Sequence, residues 1–94
     1  MSISDKQINI LIDLMGDVFS YEIGEEDLKK CKEEFYLILS EYKIKRNHIY
    51  TLCQICNIFE KWGADEDDLK IQYYSNDNNC KKLINFLDNL VSTN

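Results

Sequence analysis

Cys53-Gln-Ile-Cys56 is the first arrangement in this 94-residue chain whose spacing could do chemistry. Two thiols one helical turn apart can help hold a zinc ion or cycle between dithiol and disulfide. A closed zinc site needs four ligands, and the other candidates are Cys31, Cys80 and His48, which form neither a second CxxC nor a histidine pair. All four cysteines also fall on apolar stripes, where cysteine packs as a small hydrophobe. Packing therefore outweighs metal binding and redox chemistry, and no metal or other cofactor is assigned. His48, the sole histidine, follows Arg46 at a helix start, where an imidazolium is disfavoured. No serine or cysteine nucleophile stands beside it by local spacing, so a solvent-facing position is expected.

The carboxylates Asp65, Glu66, Asp67 and Asp68 are the second arrangement. Acid–base work by such a group requires an apolar pocket that drives the pKa values apart, and a run this polar is expected to be solvated. The segment lacks the ladder of a calcium-binding EF-hand loop, and the chain has no glycine-rich phosphate loop. An acyl carrier would need Asp-Ser-Leu at a helix start, which is also missing. No enzymatic role is assigned.

The elements that must position these residues read as helices throughout. There is no proline, only three glycines are present, and apolar residues recur at helical spacing. Ser4 and Gln7 form a capping-box pair and Ile3 can staple to Ile8, opening a first helix that buries Ile8, Leu11, Met15 and Val18. Gly24 can cap a second helix over 25–43, with Ile23 stapling to Leu28 and a stripe of Leu28, Cys31, Phe35, Ile38 and Tyr42. A third runs from an Asn47 cap to Gly63, burying Ile49, Leu52, Cys53, Cys56 and Phe59, and a last one starts near Ser75–Asp77 and buries Cys80, Leu83, Ile84, Leu87, Leu90 and Val91. Residues 64–76 form the connection, with at most a short helical turn capped by Asp65 whose Leu69 and Ile71 touch the core. The expected fold is all-α, a four-helix antiparallel bundle in one small domain spanning 1–94.

Composition narrows the partners. Hydrophobic residues make up 45% of the chain and aromatics 12%, enough to fill one core. The net charge of −6 disfavours direct nucleic-acid binding and favours a basic protein partner. No apolar run reaches a membrane-spanning length, and MSISDKQ lacks a secretory leader's features, so a cytoplasmic protein with reduced thiols is expected. Charge is segregated: residues 1–28 hold seven acids and one base, whereas 29–46 hold six bases and three acids. If Glu22, Glu25, Glu26 and Asp27 lie near Asp65–Asp68, one strongly negative face results. Tyr73 and Tyr74 would anchor it, since tyrosine offers wide apolar contact at low entropic cost. Carboxylates around stacked phenols would imitate phosphates and bases before a basic groove. A solvated loop whose tyrosines merely cover the core is the plainer alternative.

Asp68-Leu69 followed by Tyr73-Tyr74-Ser75-Asn76-Asp77, just before a final amphipathic helix, resembles the acidic double-tyrosine segment of colicin-type DNase immunity proteins. The long third helix and the acidic stretch after Ile58-Phe59-Glu60-Lys61-Trp62 look more like immunity proteins against tRNA-cleaving colicins and contact-dependent toxins. The resemblance implies a small helical inhibitor that binds a basic nuclease toxin domain beside its active site. It also implies Tyr73 and Tyr74 as anchors, with Glu33, Glu34 and the acids at 25–27 setting partner choice. The alternatives are a phage or viral accessory protein that inhibits a host defence factor, and a helical adaptor that buries an apolar face in a complex.

Overall fold

The computed structural model describes residues 3–19 and 23–92. These form six α-helices and one 3-10 turn, with no strand among the described residues. The helices are α1 (Asp5–Phe19), α2 (Glu25–Lys30), α3 (Lys32–Lys45), α4 (His48–Ile58), α5 (Glu66–Tyr74) and α6 (Asn78–Ser92); the 3-10 turn, Glu60–Trp62, follows α4. No described helix is long and apolar enough to cross a membrane.

α1 begins as its sequence dictates. Ser4 N–H donates to Gln7 Oε1 at 2.8 Å and Gln7 N–H to Ser4 Oγ at 3.2 Å, so two otherwise orphaned donors are satisfied reciprocally. Ile3 and Ile8 are both buried beside that cap, and Leu11, Met15 and Val18 continue the stripe into the core. Ile23 and Leu28 bracket the Gly24 cap of α2 in the same way.

The expected four helices are six because the chain bends once and coils once more than its periodicity indicates. Cys31, at φ −95° and ψ 6°, donates its N–H to Leu28 O at 3.0 Å, while Phe35 N–H returns to Cys31 O at 2.9 Å. A helix read continuously over 25–43 is therefore broken after its second turn by a 3-10 step. That step rotates the remainder, so α3 buries Phe35, Leu39 and Tyr42 and leaves Ile38 only half-covered. α3 ends at Arg46, whose φ of 55° places it in the left-handed cap position.

α4 starts where Asn47 Oδ1 accepts from Tyr50 N–H at 3.2 Å. Its buried face is rotated from the predicted one: Thr51, Leu52, Ile55 and Cys56 are inside, whereas Ile49 and Cys53 are half-buried. Thr51 can be buried because its hydroxyl donates to Asn47 O at 3.1 Å. The α-helix stops at Ile58, and the 3-10 turn tightens the chain as far as Gly63, at φ 96°. Phe59 thereby reaches the core against Phe35, ring centroids 5.7 Å apart, and carries Trp62 on its other side at 5.3 Å.

The predicted loop at 64–76 is largely a helix. Asp65 Oδ1 accepts from Asp67 N–H at 2.9 Å, which opens α5, and the acids of its first turn sit where the helix dipole favours them. Its end is a Schellman motif: Asn76 N–H bonds Tyr73 O and Asp77 N–H bonds Gln72 O, with Asn76 left-handed at φ 62°. Asp77 then caps α6, its Oδ2 accepting from Asn79 N–H at 2.9 Å. α6 lies along α1, and its first turn meets the last turn of α1 where Asn79 Nδ2 reaches Asp17 O. α4 packs between α3 and α5, and both of these also touch α6.

Candidate partner-binding surface

α5 is the element on which the acids and tyrosines meet, and helical geometry divides them into two faces. Leu69 is buried, and Glu66 and Tyr73, three residues before and four after, turn partly toward the interior. Ile71, two positions beyond Leu69, is rotated about 200° from it and cannot share the core face. It is 67% exposed, correcting the expectation that it touches the core. Asp67, Ile71 and Tyr74, at i, i+4 and i+7, instead form one outward stripe, and Tyr74 is 73% exposed. The Tyr73 and Tyr74 rings meet edge to face, centroids 5.2 Å apart at 86°. Half-buried Tyr73 thus braces Tyr74, the ring that faces solvent.

The tyrosines do not stand at the centre of the carboxylates. Asp65, Glu66, Asp67 and Asp68 occupy the N-terminal end of α5 and Tyr73 and Tyr74 its last turn, the midpoints of the two groups roughly 10 Å apart at 1.5 Å per residue. Beside the tyrosines opens a cleft of about 350 Å³ whose lining includes His48, Asn76, Lys81 and Ile84. At the acidic end, Asp65 and Asp68 line a cleft of about 210 Å³ with Val18 and Phe19 of α1 and with Ile71. The helix is the physical reason for the separation: a loop could fold tyrosines back among the acids, but a nine-residue rod holds its ends apart.

Glu25, Glu26 and Asp27 form the first turn of α2, with Glu25 paired to Lys29 at 3.2 Å. Glu22 lies outside the described residues. Burial and Glu34 raise the Cys31 thiol pKa, Lys61 opposes and Asp27 adds to the rise. Burial also raises the Cys56 thiol, to about 11, helped by Glu66, Asp65 and Glu60. The carboxylates that act on Cys31 thus belong to α2 and α3, and those that act on Cys56 to the 3-10 turn and α5. The α1 N-terminus lies beside α2: Asp5 pairs with Lys32 at 3.2 Å and shares Lys29 with Glu25, at 3.9 Å.

The residues with chemical potential are engaged in packing. Cys56 and Cys80 are buried, Cys31 and Cys53 half-buried, and burial raises the pKa of each, away from the reactive thiolate. Among the described residues no three His, Cys, Asp or Glu side chains gather as a metal requires. His48 is not the solvent-facing residue expected: it is half-buried, its Nε2 3.6 Å from Asp88 Oδ1 and its ring 5.6 Å from that of Tyr42. Tyr42 donates its hydroxyl to the same Asp88 carboxylate. Neither Ile71 on the outward stripe nor the His48–Asp88 pairing was legible locally; the cap pair Asp65 and Asn76, by defining α5, could have exposed the first. Comparison with protein-family models, curated proteins and solved structures returned no match.

Proposed function

We propose that this protein is an immunity-type inhibitor that binds a basic protein, of the nuclease-toxin class, and occludes its nucleic-acid groove. The single observation that carries the reading is the outward stripe of α5, where Asp67, Ile71 and Tyr74 stand in line beside Asp68. A rigid, solvent-facing aromatic next to an exposed aliphatic side chain is the composition of an interface centre, and flanking carboxylates suit a rim that pairs with lysine and arginine. The net charge of −6 would speed encounter with such a partner. Partner choice would draw on the acids at the starts of α2 and α5, Glu25, Glu26, Asp27, Asp65 and Glu66. The reading assigns no reaction to the chain; inhibition is steric and electrostatic, and takes place in the cytoplasm.

In this reading the anchoring roles are divided among three residues. Tyr74 supplies the contact, Ile71 extends it, and Tyr73 holds Tyr74 in place. The experiment is capture from the native host with the wild type and with Asp67→Lys/Ile71→Ala/Tyr74→Ala as parallel baits, followed by nuclease assays on whatever is retained. A basic protein retained by the wild type alone, whose nucleic-acid cleavage the wild type suppresses, is the expected result. Identical capture by both baits removes α5 from the interface, and an acidic partner removes the electrostatic basis.

A further inference from the structure

A second surface lies on α3, away from the core. Leu37 is 65% exposed and Ile44 82% exposed, although they are among the most apolar side chains of the molecule. Seven residues apart on a helix, they project in nearly the same direction, about 10.5 Å apart along the axis. Phe35, Leu39 and Tyr42 occupy the opposite face. Ser40 and Glu41 lie between the two: the Ser40 hydroxyl is satisfied by donation to Tyr36 O at 3.0 Å, and the Glu41 carboxylate is drawn to one side by Lys45 at 2.8 Å and by Tyr50 and Gln54 of α4. Ser40 therefore needs no water or partner and leaves room for close approach. Glu33 and Glu34 stand at one end of this helix, and Lys43 and Lys45 at the other.

We propose that the protein self-associates through this face, two copies laying α3 against α3 antiparallel about a two-fold axis near Ser40. Reversal is what makes the stripe self-complementary. It sets Leu37 of each copy opposite Ile44 of the other, and brings the end with Glu33 and Glu34 to the end with Lys43 and Lys45. A parallel pairing would oppose acid to acid and base to base. A uniformly basic or acidic partner would be repelled at one end, so the charge order selects a second copy of this chain. Antiparallel alignment also opposes the helix dipoles favourably. The contact is one helix wide, below the roughly 1,200–2,000 Å² of stable interfaces, so the dimer is a transient one, with a dissociation constant on the order of 100 μM. It does not depend on the role of α5, which presents a separate surface.

Sedimentation equilibrium over roughly 10 μM to 1 mM tests it, a range that brackets the expected constant. The wild-type mass rises with concentration from 11.2 kDa toward twice that value. Leu37→Glu and Ile44→Glu each weaken association at least tenfold; both positions are exposed, and circular dichroism checks that the fold survives. Should either unfold, Leu37→Ser and Ile44→Ser serve instead. The decisive arm is charge exchange. Glu33→Lys/Glu34→Lys and Lys43→Glu/Lys45→Glu each stay monomeric alone, because their ends now repel, while an equimolar mixture of the two forms the heterodimer. A wild type that holds 11.2 kDa throughout overturns the proposal. So does association that survives Leu37→Glu, or charge variants that dimerise alone as well as mixed.

Discussion

Removing the acceptor should cost more than removing the donor in the pair formed by Tyr42 and Asp88, which ties α3 to α6. Tyr42 is 1% exposed, so its hydroxyl has no alternative in solvent, whereas the Asp88 side chain is 37% exposed and keeps both water and His48. Tyr42→Phe therefore loses one hydrogen bond and leaves a carboxylate that can rehydrate, at a cost of about 1 kcal/mol. Asp88→Ala strands a buried phenol and removes the partner of His48, at a cost of about 2–3 kcal/mol. For a chain of this size each kcal/mol is about 4–8 °C in melting temperature, so the two variants should be separated by roughly 5–10 °C. Asp88→Asn retains an acceptor and should fall near Tyr42→Phe. The double variant Tyr42→Phe/Asp88→Ala should cost less than the sum of the singles by about 1 kcal/mol, since the phenol that the second change strands is already gone. Thermal and urea unfolding of the four variants measures all of this. Equal losses from Tyr42→Phe and Asp88→Ala, or simple additivity, would refute the argument that the stranded hydroxyl dominates.

Alkaline pH should weaken the fold through groups that burial holds protonated. The Cys56 thiol rises from 9.0 to about 11, so its contribution is complete below pH 9 and is lost as pH climbs through 11; Cys56→Ala should flatten urea stability across that window. Tyr42, pushed well upward by burial and then by the hydrogen bond to Asp88, adds a loss that begins near pH 10 with the same sign. The glycines should respond oppositely to substitution. Gly24, at φ −65° with ordinary space for a Cβ, should gain about 0.5–1 kcal/mol on change to Ser. Gly63, at φ 96°, should lose about 1–2 kcal/mol on change to Ala from backbone strain alone, since nothing crowds the new methyl; chemical denaturation decides both. Tyr74→Ala should leave the melting temperature within about 4 °C of wild type, because surface changes lie within about 0.5 kcal/mol, while Tyr73→Ala should lower it by more than that.

The helix starts were the most legible part of the fold, because each is a local hydrogen-bonding arrangement of a few consecutive residues. Ser4 with Gln7, Asn47 with Tyr50, and the staples Ile3–Ile8 and Ile23–Leu28 all stand where their residue types indicate. α5 was underread even though its signals are local too. Asp65 caps it and Asn76 closes it, but so polar a segment, with Leu69 its only fully buried side chain, lacks the amphipathic stripe that marks a helix. The break at Cys31 was illegible for a different reason. The apolar periodicity of 28–42 is compatible with an unbroken helix, and packing of Phe35 against Phe59 favours a rotated one.

By itself, then, the order of residues determined an all-helical chain, its capped starts, most of its buried positions, and a surplus of carboxylate in segments that also hold tyrosine. Tertiary structure alone decided which side chains share a surface. It put Tyr73 inward and Tyr74 outward, moved Ile71 from the core to the solvent stripe, and brought His48 of α4 and Tyr42 of α3 to Asp88 of α6. The physical reason is that propensity and capping act over four or five residues, whereas a helix's rotation about its axis is set by the partners it packs against. One residue's rotation, about 100°, is enough to exchange a core position for a binding one.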